Sequence, residues 1–283
     1  MSIKSRTPKR HVLYRTKHLQ PRTKDERAVS APQQKLTGYD QEARARAKVI
    51  LIGGGGLGGE SGEAEVRKGI GTLVIFDHDM VELSNLNRQF FFEEDLGNPK
   101  AHALAANLSK HGFLGSVIEG YALCFEDALA LGIAVTGTVA IVAVDNSPCR
   151  IAASVYYREQ AVPCIFCAVS EDASHGYVFV QEPGKACFGC LFPDEVNDGT
   201  YPCPGTPAVK DILKVMGGIV SYALDTLIMK RLRCWQYMEI FLDGSVSHRT
   251  GTIARRLDCQ LCGEAQEPLL SALLPSSYAE CRL

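Results

Sequence analysis

The sequence has almost no net charge: 30 Lys+Arg stand against 32 Asp+Glu over 283 residues, a balance of −2 at pH 7. A value so near zero argues against general nucleic-acid binding, which wants a strongly basic surface. Long apolar runs are also lacking. The longest, residues 132–144, is too short to span a bilayer and ends at Asp145. There is no internal repeat, and residues 1–27 contain no apolar stretch of the kind a secretory signal needs. A regular cysteine framework is missing too. The 11 cysteines are odd in number and uneven in spacing, so secreted disulfides are not expected. These absences point to a reducing, cytoplasmic setting in which some thiols act as ligands or nucleophiles. With 46% apolar and 22% charged residues, a disordered or fibrous chain is excluded as well.

The near-zero charge hides an asymmetry. Residues 1–27 carry nine Lys/Arg and two acids, an arm of +7 against a body of −9. Residues 1–35 read as a basic, flexible arm, either solvated or serving to dock a partner, with a faint likeness to an organellar transit peptide. From Lys48 the pattern alternates between strand and helix. Short aliphatic runs at 48–53, 72–77, 138–145 and 163–169 are separated by helical stretches at 98–111 and 147–160. Continuous apolar strands between helices imply a parallel sheet covered on both faces, hence a doubly wound, Rossmann-like α/β fold. A weaker strand is read at 116–119 and a further one at 177–181. A long helix is expected over 206–233, then an antiparallel pair, 238–242 and 247–255, around Asp243-Gly244. Residues 264–283 read as a tail.

Gly53-Gly-Gly-Gly-Leu-Gly58 satisfies G-x-G-x-x-G between a strand and a helix. Gly53, Gly55, Gly56 and Gly58 would allow a tight turn and close approach to a phosphate at the helix start. Asp77 and Asp79 follow at the distance where a carboxylate can accept ribose hydroxyls. By itself the loop means only a nucleotide, or a simple turn. The helix after it is an oddity, because Glu60, Glu63 and Glu65 would repel a phosphate unless they point away.

The next segment is more specific. Asp77-His-Asp-Met-Val-Glu-Leu-Ser-Asn85-Leu-Asn-Arg88-Gln89 is followed by Gly97-Asn-Pro-Lys100 and by Asp145-Asn146-Ser-Pro-Cys-Arg150. In order and spacing these strings, over residues 36–263, resemble the ThiF/MoeB-type adenylyltransferases, the superfamily that includes ubiquitin-activating enzymes. The resemblance implies ATP-dependent adenylation of a C-terminal glycine carboxylate on a ubiquitin-like protein, followed by transfer to a thiol. It also implies roles: Asp79 on the ribose, Asn85, Arg88 and Gln89 on the triphosphate, Lys100 on phosphate, Asp145 on Mg²⁺ and Asn146 beside it. Adenylation calls for cations against developing phosphate charge and an acid for the metal. Family members carry an arginine ahead of the first strand that reaches ATP in a dimer partner. Here that position holds Pro32, followed by Gln33.

Three C-x-x-C pairs occur. Cys187/Cys190 and Cys259/Cys262 sit in knuckle-like turns and supply four thiolates, a tetrahedral set for Zn²⁺, although two unlinked thiol pairs are the alternative. The resemblance favours zinc. Cys164/Cys167 lie within a strand, on opposite faces, and read as core residues. Cys203, in a Pro/Gly-rich loop before the long helix, is a candidate acyl-accepting nucleophile or else a loop thiol without a role. No large catalytic-cysteine domain or C-terminal ubiquitin-like domain is expected, as in compact bacterial activators. The expected partners are a ubiquitin-like or sulfur-carrier protein, a conjugating-enzyme-like protein and a second copy of the chain, with no membrane. Two rivals remain: sulfur-carrier activation for thiamine- or molybdopterin-type sulfur transfer, and a non-catalytic scaffold binding nucleotide or a ubiquitin-like protein. An NAD dehydrogenase has no use for the Ser84–Gln89 string.

Overall fold

Short, β-branched and fully aliphatic segments form the centre of the molecule. In the structure, a computed structural model describing residues 10–198, 208–244 and 247–263, strands β2 (Lys48–Ile52), β3 (Thr72–Phe76) and β5 (Val139–Val142) are almost wholly buried. With β4 (Val117–Tyr121) and β6 (Cys164–Val169) they make a parallel sheet in the order β4-β3-β2-β5-β6. Antiparallel strands extend it at both ends. β1 (His11–Arg15) pairs with β4, while β7 (His175–Gln181), β8 (Tyr237–Phe241) and β9 (His248–Gly251) follow β6.

Alternation along β2 divides the core. Val49 and Leu51 face a cluster built with α3 (Gly56–Arg67), α4 (Lys100–His111) and α9 (Lys210–Ile228). Ile50 and Ile52 face the other, with α5 (Phe125–Ala130), α6 (Ser147–Glu159) and α7 (Phe188–Leu191). Cys164 and Cys167 follow the same rule and are buried in opposite clusters, as small core residues on a strand should be. Three short helices complete the order: α1 (Ala31–Gln34), α2 (Gln41–Arg46) and α8 (Pro193–Asp198).

The basic arm is the main departure from expectation. Within the expected arm 1–35, residues 11–15 are an edge strand whose Val12 and Tyr14 pack against the α4 side of the sheet. Val12 and Tyr14 are half-buried while Leu13 between them is exposed, so the strand's alternation lies in burial and is hidden by the contiguous Val-Leu-Tyr run in the sequence. The long helix is also shorter than expected. It ends at Ile228, and Lys230 adopts a left-handed φ of 51°, which a continuing helix does not allow.

One acid of α3, Glu65, is held away from the helix start. Glu65 is fully buried and ion-paired to Arg44 of α2, with Lys68 at 3.4 Å and the Ser221 hydroxyl donating at 2.6 Å. Arg44, also fully buried, pairs in addition with Asp225 of α9, to which Lys68 donates at 2.8 Å. Burial raises the Glu65 carboxyl, but Arg44, Lys68 and Ser221 outweigh it and hold it below its ordinary value. This network joins three helices through a charge set in which each member has a partner.

Candidate nucleotide site and cysteine cluster

Strand order changes direction between β2 and β5: from β2 the chain proceeds outward to β3, while β5 lies on the other flank. A crevice forms beyond the carboxyl ends of strands at such a switch point. Here it is a cavity of about 590 Å³. Gly53, Gly55, Gly56, Asp77, Asp79, Asn85, Arg88, Gln89, Lys100, Asp145 and Asn146 all line it. Residues nearly a hundred positions apart are thus brought to one surface. Among the described residues proposed from the sequence for the nucleotide site, Gly58 is the one that does not line the cavity. A side chain there would strike the carbonyl oxygen of Gly53, so Gly58 is needed for close packing of α3 beneath the loop. Cys203 lies outside the described residues.

Local geometry sets each group. Gly53 has φ +93°, and a Cβ there would lie 2.6 Å from the Ala143 carbonyl oxygen, so only glycine fits where β2 turns beside β5. The start of α3 has no side-chain cap, which leaves backbone N–H groups of its first turn without an intrahelical partner. With the helix dipole they make an anion-binding end. Asp77 holds this loop: its two oxygens accept from the N–H groups of Gly54 at 2.7 Å and Asp79 at 2.8 Å. Burial raises the Asp77 carboxyl, opposed by those two bonds and by Lys100. Asp77 is therefore occupied as a loop brace. Asp79, half exposed, presents its carboxylate to the cavity beside the Lys100 ammonium at 2.9 Å.

Arg88 and Gln89 follow a 3-10 turn at Leu83–Asn85, where Asn85 accepts from the Glu82 N–H at 2.9 Å. The Gln89 side-chain oxygen is buried with no hydrogen-bond partner, a donor-seeking group at the cavity wall beside Gly55. Asp145 stands exposed past the end of β5, while Asn146 caps α6 by accepting from the Cys149 N–H at 2.9 Å. The arrangement puts an uncapped helix start, Arg88, Gln89 and Lys100 on one flank, and a free carboxylate, Asp145, on the other.

Several lining residues escaped sequence reasoning: Cys124, Phe125, Glu126, Asp127, Cys149 and Cys167. Burial pushes the Cys124 and Cys167 thiols up to about 12 and Cys149 upward too, so none is a thiolate at neutral pH. Arg150, the last residue of the D-N-x-x-x-R string, was legible. It donates to the Val144 carbonyl at 2.9 Å and approaches Glu195 of α8 at 3.8 Å, bracing the turn that carries Asp145. Pro32 is exposed, and neighbouring Gln33 bonds the Lys68 carbonyl at 3.0 Å. That is the far end of the 12-residue helix α3. It lies roughly 18 Å from the helix start.

On the α6 side, Cys187, Cys190, Cys259 and Cys262 are all buried, with their four sulfurs within 4.8 Å of one another. Sγ–Sγ separations are 3.8 Å for Cys187–Cys190, 3.5 Å for Cys187–Cys259 and 3.4 Å for Cys190–Cys262. Zn–S bonds of ~2.3 Å in a tetrahedron set sulfurs just under ~4 Å apart, so the donor set fits zinc. Among the described residues no helix is long and apolar enough to cross a membrane.

Comparison with known proteins agrees with this geometry. The SAMP-activating enzyme E1 of Haloferax volcanii is 29% identical over 231 residues, 77% of this chain and 81% of that one. Ubiquitin-like modifier-activating enzyme 5 of Drosophila grimshawi is 33% identical over 166 residues, 54% of this chain, which spans only 42% of that enzyme. The structure of E. coli MccB + ATP superposes with a TM-score of 0.66 at 22% identity, covering 79% of this chain and 68% of that one, a likeness of fold. The ThiF family model matches residues 27–240, well over half of the sequence, and the chain belongs to the ThiF family.

Proposed function

We propose that this protein is an ATP-dependent adenylyltransferase that activates the C-terminal glycine carboxylate of a ubiquitin-like or sulfur-carrier protein. The observation that carries the reading is the convergence of Arg88, Gln89, Lys100 and Asp145 on one cavity beside an uncapped helix start. A triphosphate needs such a set of donors and cations, and a hydride-transfer site does not. In this reading Asp79 accepts from the ribose, and the α3 N–H groups with Arg88 and Gln89 hold the phosphates. Lys100 neutralises charge as the carboxylate oxygen attacks the α-phosphorus and the bond to pyrophosphate breaks. Asp145 would hold Mg²⁺, which supplies Lewis-acid neutralisation of the phosphate oxygens. The four cysteines would hold a structural Zn²⁺.

A thiol sulfur then attacks the acyl carbon and displaces AMP, the thiol belonging to Cys203, a conjugating-enzyme partner or a sulfur donor. The high thiol pKa values of Cys124 and Cys167 argue against either as acceptor. A homodimer is part of the reading. The names of the relatives support the substrate class: SAMP-activating and ubiquitin-like modifier-activating. Carrier-dependent ATP–pyrophosphate exchange tests it. Lys100→Ala and Asp145→Ala are expected to lower exchange by about 10²-fold or more, the cost of removing a group that stabilises transition-state charge. A second reading, a non-catalytic nucleotide-binding scaffold, draws on Pro32 at the position of the expected arginine. Nucleotide binding without exchange, for every carrier tried, would favour it.

A further inference from the structure

Glu60 poses a problem for any anion at the start of α3. It is the fifth residue of that helix, and its side chain is 10% exposed. An uncompensated carboxylate one turn from Gly56 would cancel the positive end that the uncapped N–H groups provide. The structure resolves the conflict with Lys210, whose ammonium is ion-paired to Glu60 and also donates to the Arg88 carbonyl at 3.3 Å. Lys210 is the first residue of α9, where a cation opposes its own helix dipole and the N-cap Val209 offers no side-chain bond. A residue that breaks a local rule in this way marks a functional constraint.

Helix packing keeps the geometry firm. A Cβ on Gly217 would lie 2.6 Å from the Glu60 Cβ, and one on Gly56 would lie 2.6 Å from Leu213, so α3 and α9 touch closely on both sides of the pair. Ala208 and Leu213 line the cavity and Lys210 between them does not, which leaves it to act through Glu60 and Arg88.

We infer that Lys210 is a positioning residue for nucleotide binding, cancelling the Glu60 charge behind the phosphate-binding turn and fixing the loop that bears Arg88. The inference rests on the ATP reading above. The test compares wild type, Lys210→Met, Lys210→Arg, Glu60→Gln and the Glu60→Gln/Lys210→Met double variant. It measures calorimetric binding of a non-hydrolysable ATP analogue, together with KM and kcat in pyrophosphate exchange. Lys210→Met is expected to raise KM for ATP and the analogue Kd about tenfold with kcat within about twofold, a loss of uniform binding. Lys210→Arg should stay near wild type, and Glu60→Gln should not weaken binding. The double variant should return to within about threefold of wild type, because no buried charge is left unpaired. An unchanged Kd in Lys210→Met, or a double variant as weak as Lys210→Met, would overturn the inference while leaving the ATP reading intact. No analogue binding by wild type would sink the ATP reading, and this inference with it.

Discussion

Two glycines of the loop act by different physics. Gly53 is required for its positive φ and for the neighbouring Ala143 carbonyl, whereas Gly58 is required for the space a methyl group would take from the Gly53 carbonyl. Gly58→Ala is therefore expected to be overpacked by backbone that cannot rotate aside, costing about 1–3 kcal/mol and moving the loop. Thermal melting together with ATP-analogue titration checks this. Wild-type stability with wild-type affinity would show that the loop has slack the structure does not display. Asp77 and Asp79 likewise differ though they are alternate residues on one strand end. Both line the cavity, but Asp77 is a brace between backbone N–H groups while Asp79 is paired with Lys100.

Helices α2, α3 and α9 are bound at their junction by charge as much as by apolar contact. Arg44→Met would leave Glu65 buried with only Lys68 and Ser221 as partners, at an expected cost of about 3–5 kcal/mol. Urea unfolding at pH 7 measures it. The carboxyl of Glu65 sits below its usual value of 4.5 in the folded state. Its stabilisation is therefore complete above that value and disappears as pH falls through the depressed folded value. Unfolding free energy should drop on acidification below about pH 4.5, and Glu65→Gln should flatten that slope. A slope unchanged in the variant would assign the acid sensitivity to other carboxylates. None of this network was legible in the sequence. There the acids of α3 read as charges that would repel a phosphate unless they pointed away, because helical periodicity says which residues share a face but not which helix covers it.

At the scale of the molecule, the cysteine cluster ties residues 72 positions apart and pins the chain after β9 to α6 and α7. Cys259→Ser is expected to lose the single zinc ion per chain proposed above, seen by native mass spectrometry, and to lower the melting temperature. Equal metal content in variant and wild type would remove the zinc assignment. Chelation should destabilise the wild type in the same way, since binding energy held by folded ligands is folding energy. Much of the fold could be read in advance. β2, β3 and β5 are short aliphatic runs because they are covered on both faces, and the Ser84–Gln89 string with Lys100 and Asp145 carries its chemistry openly. β1 was hidden: Val12 and Tyr14 are apolar residues set among arginines, and what makes them a strand is β4, a hundred residues on. The sequence by itself determined the turn-making glycines, the buried strands and the kinds of group offered to a nucleotide and a metal, since these follow from backbone sterics, burial and functional-group chemistry at short range. Only the tertiary structure decided that Asp77 braces the loop while Asp79 pairs with Lys100, that Gly58 packs, and that Lys210 answers Glu60. Those outcomes depend on distances between segments that the covalent chain leaves free.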